Sequence, residues 1–400
     1  MRRPGTNGMI LVLATVTSGI LYFFSTGLDG FRALVWIAPL PVLLVSMRYS
    51  RRFIMVGAFC AYATGGLNLV GYLSRLAPMG VVIGSILIPA IAFAVIVVAY
   101  RDAILHLRHP LAFLAFPVGW IRLSTPVSGE PVRVGLVAID STVEFSNTTE
   151  SEKALDVLGA YGRVVANLAD RGAQIVILPE KLVGVTEGYE REVFAFLSGL
   201  ARQKNVVLIA GLNRIGAEPH RNLAVVISSD GTVLGEYDKR YPIPGLETGY
   251  RTGLRTFQFT TTNLSAGIAI CKDMDFHRWI RHYGDAGTSI LFVPAWDFSS
   301  DAWLHSHMAV MRAVENGFAL VRSANNGFLT VTDDRGRVIG EASSSSTSPV
   351  SLLSDVRPGT GRTFYTRAGD WFAWLDLFFL LVLVVAVSRR LARRLSHNNS

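Results

Sequence analysis

The hydrophobic positions of this chain fall into two patterns. From residue 9 to residue 121, apolar stretches follow one another with short arginine-containing breaks, whereas residues 130–365 alternate between short apolar runs and polar segments. An apolar stretch of about 20 residues predicts a membrane-spanning helix, while short runs separated by polar residues indicate the core of a soluble domain. We therefore expect a membrane domain joined to a soluble domain.

Six apolar segments are candidate membrane spans. They lie at 9–25, 33–47, 53–73, 79–100, 104–122 and 371–387. The fifth is the weakest, because Arg108, His109 and Pro110 interrupt its approach. If it spans and the N-terminus is cytoplasmic, most membrane-flanking arginines, including the C-terminal Arg389–Arg394 cluster, fall on the cytoplasmic side, as the positive-inside rule favours. We therefore expect five spans, an external soluble domain and one closing span.

The predicted domain boundaries follow from this arrangement. Residues 1–128 form the membrane domain with about five transmembrane helices, residues 129–366 form the soluble domain, and residues 367–400 form the closing helix with a basic cytoplasmic tail. The net charge of +8 could suggest a nucleic-acid partner. However, the basic residues cluster beside apolar segments, as Arg51 and Arg52 do, and membrane topology explains them better. We expect no nucleic-acid partner.

The soluble segment predicts strands that alternate with helices. Strands are expected at 132–139, 174–178, 205–210, 222–228, 232–237, 265–270, 288–293, 318–323 and 327–332, and helices at 152–170, 190–203 and 303–316. Asp230 and Gly231 predict a hairpin turn, and the serine-rich stretch 343–348 predicts a loop. Hairpins mixed with strand–helix units indicate an α/β sandwich rather than a purely parallel sheet.

Three reactive side chains follow predicted strands, and they are Glu180, Lys239 and Cys271. A thiol attacks a carbonyl carbon as the thiolate, so a catalytic cysteine needs a base or a positive field nearby. Glu180 can accept the thiol proton, while Lys239 and the backbone N–H after Cys271 can stabilise a negatively charged tetrahedral intermediate. The alternative is structural, with a buried cysteine, a helix-capping glutamate and a solvated lysine.

The residues around these side chains resemble the carbon-nitrogen hydrolase (nitrilase) superfamily in order and spacing. The matching motifs are Leu178-Pro179-Glu180, Tyr237-Asp238-Lys239-Arg240, Pro244-Gly245-Leu246-Glu247 and Ile270-Cys271-Lys272-Asp273. The resemblance implies an αββα sandwich in which Glu180 is the general base, Lys239 stabilises the oxyanion and Cys271 is the nucleophile that forms a thioester. It also implies that Glu247 helps to hold the triad.

A second set of motifs resembles the apolipoprotein N-acyltransferases. These motifs are Asp301-Ala302-Trp303 and residues 311–317, 321–327 and 363–371. The resemblance implies transfer of an acyl chain from a phospholipid to the N-terminal amine of a lipoprotein, in the bacterial cytoplasmic (inner) membrane with the catalytic domain on the periplasmic side. The alternatives are another amine acceptor, a membrane-tethered amidase that hydrolyses a C–N bond, and a membrane scaffold without activity.

Two features depart from that family. It usually has more helices before its catalytic domain, and it commonly has Tyr-Glu directly after the nucleophile, where this chain has Lys272 and Asp273. His305 and His307 are two positions apart, a spacing that could suggest a metal site. No third ligand with suitable spacing accompanies them, so we expect neither a metal nor a cofactor.

Overall fold

The computed structural model describes residues 4–26, 31–75, 77–107, 124, 127, 129–216, 218–261, 264–344, 349–378 and 381. It divides the chain into two compact units, one of residues 1–117 with 376–400 and one of residues 118–375. Each unit has buried apolar clusters of its own. The two units are called the helical unit and the catalytic unit below.

Among the described residues of the helical unit, three helical stretches are long and apolar enough to cross a membrane, and they are Gly8–Ser25, Arg51–Leu73 and Met79–Asp102. They correspond to three of the expected spans. The helices are α1 Pro4–Ser25, α2 Leu40–Ser46, α3 Arg51–Gly66, α4 Val70–Leu73 and α5 Met79–Leu107. Small residues bring α1 and α3 close together, since a side chain on Gly65 would collide with Tyr22. Such close approach through small residues is typical of helices packed within a bilayer.

The segment expected to span at 33–47 is broken into two pieces. A 3-10 helix, Arg32–Trp36, precedes α2, and the combined apolar stretch Ala33–Ser46 is shorter than a bilayer crossing. Pro39 is the N-cap residue of α2, and proline, which lacks a backbone N–H, favours the start of a helix. The break therefore has a local cause.

The two remaining candidate spans lie largely outside the described residues. Of the fifth, only the beginning is described, because α5 continues to Leu107. Of the sixth, residues 371–378 and 381 are described, and they are helical. The predicted number of spans therefore stays a prediction.

The catalytic unit contains two β-sheets. The strands are β1 Val132–Ala138, β2 Ile175–Ile177, β3 Gly184–Val185, β4 Val207–Arg214, β5 Arg221–Ile227, β6 Val233–Asp238, β7 Phe257–Thr261, β8 Leu264–Ile268, β9 Ile290–Trp296, β10 Ala319–Asn325, β11 Phe328–Thr332, β12 Val338–Ser343 and β13 Val350–Val356. The first sheet has the order β13-β1-β2-β4-β5-β6, with β3 beside β4, and the second has the order β12-β11-β10-β9-β8-β7.

The sheets pack face to face, and helices cover their outer faces. The helices are α6 Ser151–Asp170, α7 Glu190–Lys204, α8 His277–Asp285, α9 Ala302–Asn316 and α10 Phe364–Ala368. In β1, Leu136 packs between the sheets while its neighbour Val137 packs under α6 and α7, as the alternation of side chains along a strand requires. Residues of α8 and α9 share a cluster with the outer face of β9 and β10. The αββα sandwich expected from the sequence is confirmed.

Sheet topology brings the ends of several strands to one place. Strand β2 runs parallel to β1 and β4, and β9 runs parallel to β8 and β10. The N–H of Glu180, just after β2, donates to the carbonyl of Ala295 at the end of β9, at 3.3 Å. The two sheets therefore meet where their parallel strands end, the usual position of sites in α/β proteins.

Candidate active site

Glu180 lies in the turn that follows β2 and is buried, with 2% of its surface exposed. A side chain on Gly211 of β4 would collide with the carbonyl of Pro179 and the backbone of Glu180. Glycine at this position therefore lets the turn approach the neighbouring strand closely. The carboxylate of Glu180 is held at the meeting point of the two sheets.

Lys239 directly follows β6 and is fully buried. Its Nζ donates to Glu180 Oε1 at 2.7 Å and to Glu247 Oε2 at 3.0 Å. Asn222 of β5 donates Nδ2 to the same two carboxylates, at 2.5 Å to Glu180 and 2.8 Å to Glu247. The structure thus brings three of the four residues named from the sequence into one hydrogen-bonded group.

Lys181 supplies a second ammonium group. Its Nζ forms an ion pair with Glu247 Oε1, and 11% of its side chain is exposed. The same Nζ lies 4.3 Å from the ring centroid of Tyr250, a distance at which a cation is attracted to an aromatic face. Glu180, Lys181, Lys239 and Glu247 are called the charged cluster below.

Cys271 begins the 3-10 helix Cys271–Asp275, three residues beyond Ile268, the last residue of β8. Its φ is +41°, a left-handed conformation that residues other than glycine adopt rarely and that is often found at functional sites. The thiol Sγ lies 3.4 Å from the carbonyl oxygen of Trp296. The residue as a whole is partly exposed.

The charges around Cys271 keep the thiol protonated at rest. Burial raises the pKa of the Cys271 thiol well above its usual range, and the carboxylate of Glu180 raises it further, against the opposing effect of the Lys239 ammonium. A protonated thiol must lose its proton before it can attack. The N–H of Glu180 contacts Ala295 and the Cys271 thiol contacts Trp296, so both residues lie at the end of β9.

The ion pairs decide the charge of the cluster. Burial opposes the charged form of Lys239, but Glu180, Cys271 and Glu247 outweigh it, and the pKa of Lys239 stands above its usual range. Burial also opposes ionisation of Glu247, yet Lys239 and Lys181 lower the pKa of Glu247 to about 2. Lys239 is therefore a cation and Glu247 an anion at neutral pH.

Asp273 lies two residues after Cys271, and the groups that donate hydrogen bonds to it are uncharged. Its carboxylate accepts hydrogen bonds from the hydroxyl of Tyr237 at 2.7 Å and from the backbone N–H groups of Tyr241 at 2.9 Å and Ile270 at 3.0 Å. Trp279 Nε1 donates to the Tyr237 hydroxyl at 3.1 Å. Burial raises the pKa of Asp273 to about 6. These contacts, called the neutral network below, tie the turn at Cys271 to β6.

A buried ion pair supports the same region from the second sheet. Arg322 of β10 donates NH1 to Asp297 Oδ2 at 2.9 Å and NH2 to Oδ1 at 2.5 Å. Both side chains are buried, and both charges act on the Cys271 thiol. Two parallel hydrogen bonds hold the guanidinium and the carboxylate in one orientation. This pair is therefore a rigid part of the surroundings of Cys271.

Comparison with protein families agrees with this geometry. The family model described as carbon-nitrogen hydrolase matches residues 133–353, which include both sheets and every residue of the charged cluster. The chain belongs to the carbon-nitrogen hydrolase family. The resemblance inferred from the sequence motifs is confirmed.

Several curated proteins similar to this carbon-nitrogen hydrolase are named apolipoprotein N-acyltransferase. The one from Geobacter metallireducens is 25% identical over 96% of this chain and 80% of its own length. The one from Gloeobacter violaceus is 25% identical over 71% of this chain and 58% of its own length. The one from Vibrio vulnificus is 32% identical over 28% of this chain and 23% of its own length.

Among solved structures, a mutant of the amidase from Nesterenkonia sp. AN1, with acrylamide added at its active-site cysteine, shares the fold. The TM-score is 0.50 at 20% identity, over 56% of this chain and 92% of that chain. At this level of identity, the likeness concerns the fold of the carbon-nitrogen hydrolase domain alone.

Sequence reasoning missed several residues of this carbon-nitrogen hydrolase site. Asn222 and Arg322 lie inside strands, where a polar residue in an apolar run gives no sign of its partner. Asp297 and Lys181 each lie just beyond a recognisable strand. The signal that located Glu180, a charged residue after an apolar run, could therefore have located them too. Asp273 was noted only as a departure from the related acyltransferases, although its three hydrogen bonds make it part of the site.

The paired histidines considered as metal ligands have other partners. His305 Nε2 lies 3.2 Å from Asp301 Oδ2 and its Nδ1 lies 3.9 Å from Asp275 Oδ1. His307 Nδ1 lies 3.0 Å from the carbonyl of Trp303 and the ring stacks on that tryptophan. Within the described residues, no group of three or more His, Cys, Asp or Glu side chains is arranged to hold a metal ion.

Proposed function

We propose that this protein is a membrane-embedded N-acyltransferase that carries an acyl group on Cys271. The observation behind this proposal is the presence, in one chain, of a carbon-nitrogen hydrolase site and three helical stretches of membrane-spanning length. Similarity to apolipoprotein N-acyltransferases along 96% of the chain supports it. The proposed donor is a phospholipid, and the proposed acceptor is the N-terminal amine of a lipoprotein.

In the first half of the proposed reaction, Cys271 takes the acyl group. Glu180 accepts the thiol proton as the sulfur attacks the ester carbonyl of the phospholipid, and the C=O oxygen becomes an oxyanion. The ammonium of Lys239 and the backbone N–H of Lys272 stabilise that oxyanion. Glu180 then returns the proton to the departing alkoxide. The products are a thioester on Cys271 and a lysophospholipid.

In the second half, an amine replaces the thiol. A neutral amine attacks the thioester carbonyl, the same donors stabilise the oxyanion, and Glu180 takes a proton from the attacking nitrogen. The C–S bond breaks and Glu180 returns this proton to the sulfur. The products are an amide and free Cys271, so the enzyme is regenerated without a cofactor.

Exposed apolar side chains beside the site suit an acyl chain. Leu246 precedes Glu247 in the chain and is 64% exposed, and Phe298 follows Asp297 and is 50% exposed. Exposed hydrocarbon of this size is unfavourable in water and gains stability when a lipid chain covers it.

The proposed location is the bacterial inner membrane, with the catalytic unit on the periplasmic side. The arginine bias around the predicted spans supports this orientation. An enzyme reporter that is active only outside the cytoplasm, inserted near Ser345, should be active, and the same reporter fused after Ser400 should be silent. The opposite pattern would overturn the topology of five spans plus one.

Mass spectrometry of the intact protein tests the proposed chemistry. Protein incubated with phospholipid should gain the mass of one acyl chain on Cys271, and the Cys271→Ala variant should gain none. Lys239→Ala should gain it at least about a hundredfold more slowly, because the oxyanion loses its cation. A normal adduct in Cys271→Ala would contradict covalent catalysis by this thiol.

Discharge of the thioester distinguishes a transferase from an amidase. Loaded protein should keep its acyl group for many minutes in buffer and lose it promptly when a diacylated lipopeptide with a free N-terminal amine is added. The lipopeptide should gain the mass that the protein loses. Rapid release of free fatty acid without lipopeptide, with no acylated product when lipopeptide is supplied, would favour a membrane-tethered amidase instead.

A further inference from the structure

Lys181 is a second buried cation beside the triad, and the proposed reaction gives it no role. It follows Glu180 in the chain, and its ammonium pairs with Glu247 Oε1. The other oxygen of that carboxylate, Oε2, accepts from Lys239 Nζ at 3.0 Å and from the backbone N–H of Ile243 at 2.8 Å. Glu247 is therefore shared between two ammonium groups that arrive from different loops.

The charge balance of the cluster depends on Lys181. Glu180 and Glu247 contribute two negative charges, and Lys181 and Lys239 contribute two positive charges. All four residues are largely buried, where an unbalanced charge is costly. Without Lys181, two carboxylates would share the single ammonium of Lys239, and the cluster beside the Cys271 thiol would carry a net negative charge.

We propose that Lys181 is a positioning residue that balances the charge of Glu247, so that the ammonium of Lys239 is left to act on Cys271 and on the oxyanion. This inference rests on the catalytic role of Lys239 given above. The groups that face Glu247 are Lys239 from the loop after β6, Lys181 from the turn after β2, Asn222 from β5 and the N–H of Ile243. The ring of Tyr250 contacts both the Lys181 ammonium and the ring of His220.

The prediction concerns how easily Cys271 ionises. Removing the Lys181 charge makes the cluster more negative, which disfavours the thiolate of Cys271. It also strengthens the competition of Glu247 for Lys239. The thiol should then ionise only at higher pH, and its reaction with a thiolate-selective reagent should slow accordingly. Neutralising Glu247 in the same protein should cancel the effect.

Alkylation by iodoacetamide as a function of pH tests this directly. All proteins carry Cys60→Ala, because Cys60 is the other free cysteine and is exposed. Lys181→Met should shift the alkylation profile to higher pH and slow alkylation about tenfold at neutral pH. Lys181→Arg should restore the original profile, and so should Lys181→Met combined with Glu247→Gln. Lys181 has a φ of +51°. Met and Arg bear the same backbone strain as Lys at this position, so strain does not distinguish the variants.

Controls separate this effect from a loss of folding. Lys153→Met removes an exposed lysine that pairs with Glu150 on the surface, and it should leave both the profile and the thermal unfolding temperature unchanged. An unshifted profile in Lys181→Met would overturn the proposal. So would a shift that neither Lys181→Arg nor Glu247→Gln reverses, because a purely structural role predicts that result. Alkylation needs neither lipid nor amine, so this test stands apart from that of the acyl-transfer reaction.

Discussion

Two regions near Cys271 each contain a buried carboxylate, and the pKa values of these two carboxylates shift in opposite directions. In the charged cluster, Glu247 is 4% exposed and is paired with two ammonium groups. In the neutral network, Asp273 is fully buried and accepts three hydrogen bonds from uncharged donors. The pKa of Glu247 is lowered to about 2, whereas that of Asp273 is raised to about 6.

The difference shows what decides the charge of a buried carboxylate. Burial raises the pKa of both groups. Hydrogen bonds from uncharged donors and the charge of Lys239 offset the effect of burial on Asp273 only in part, whereas ion pairs with two cations reverse it at Glu247. This agrees with the general strength of an opposite charge at close range.

The two regions are therefore suited to different tasks. In the proposed reaction, a proton that leaves Cys271 needs a carboxylate to accept it, and an oxyanion that forms beside the sulfur needs a positive charge. The charged cluster has both. The neutral network joins the turn at Cys271 to β6 and to Trp279 through fixed hydrogen bonds. We expect substitutions in the first region to change rate and substitutions in the second to change stability.

The largest effect is expected for Glu180→Gln. The amide keeps the size of the side chain but cannot accept the thiol proton, so acylation of Cys271 should slow by about a hundredfold or more. The measurement is the rate of adduct formation with phospholipid, and Glu192→Gln, an exposed residue of α7, is the matched control. An unchanged rate would show that another group is the base.

The second prediction is a pH-dependent change of stability at Asp273. Its pKa rises from about 3.9 in the unfolded chain to about 6 in the folded state, so the stability it contributes is fully present below pH 4. That contribution is lost as pH rises through 6, because the folded state then has to bury a charged carboxylate. The loss is about 3 kcal/mol.

Thermal unfolding of the detergent-solubilised protein measures this loss. The Tm of Asp273→Asn, which cannot ionise, should rise relative to the wild-type Tm between pH 4 and pH 7. Asp156→Asn, an exposed control in α6, should show no such trend. A constant difference between Asp273→Asn and wild type across this range would mean that burial does not govern the pKa of Asp273.

The smallest effect is expected for Tyr237→Phe. The change removes the hydroxyl that donates to Asp273 at 2.7 Å and accepts from Trp279 at 3.1 Å. Loss of such hydrogen bonds should cost about 1–2 kcal/mol of unfolding free energy, with little change in acylation rate. In the Asp273→Asn background the cost should be smaller, because the amide oxygen of asparagine is a weaker acceptor than a carboxylate. Equal costs in both backgrounds would show that the two residues act independently.

Much of the fold could be predicted from local patterns. The apolar runs located three stretches of membrane-spanning length, and the alternation of short strands with helices indicated the sandwich. The pattern missed β7, β12 and β13, because all three are only partly buried. The short strand β3 has two residues, which is too few to show a period.

The residue types at the strand ends can be read from local motifs, since Glu180, Lys239 and Cys271 each follow an apolar run. The family can be read in the same way, because those motifs keep their order along the chain. By contrast, the contacts of Lys181 and Asn222 with Glu247, and the pairing of Arg322 with Asp297, become visible only in the folded chain. Likewise, Val132 of β1 pairs with Val356 of β13. Such contacts depend on strand register and sheet packing, which distant parts of the chain set together and no local pattern encodes.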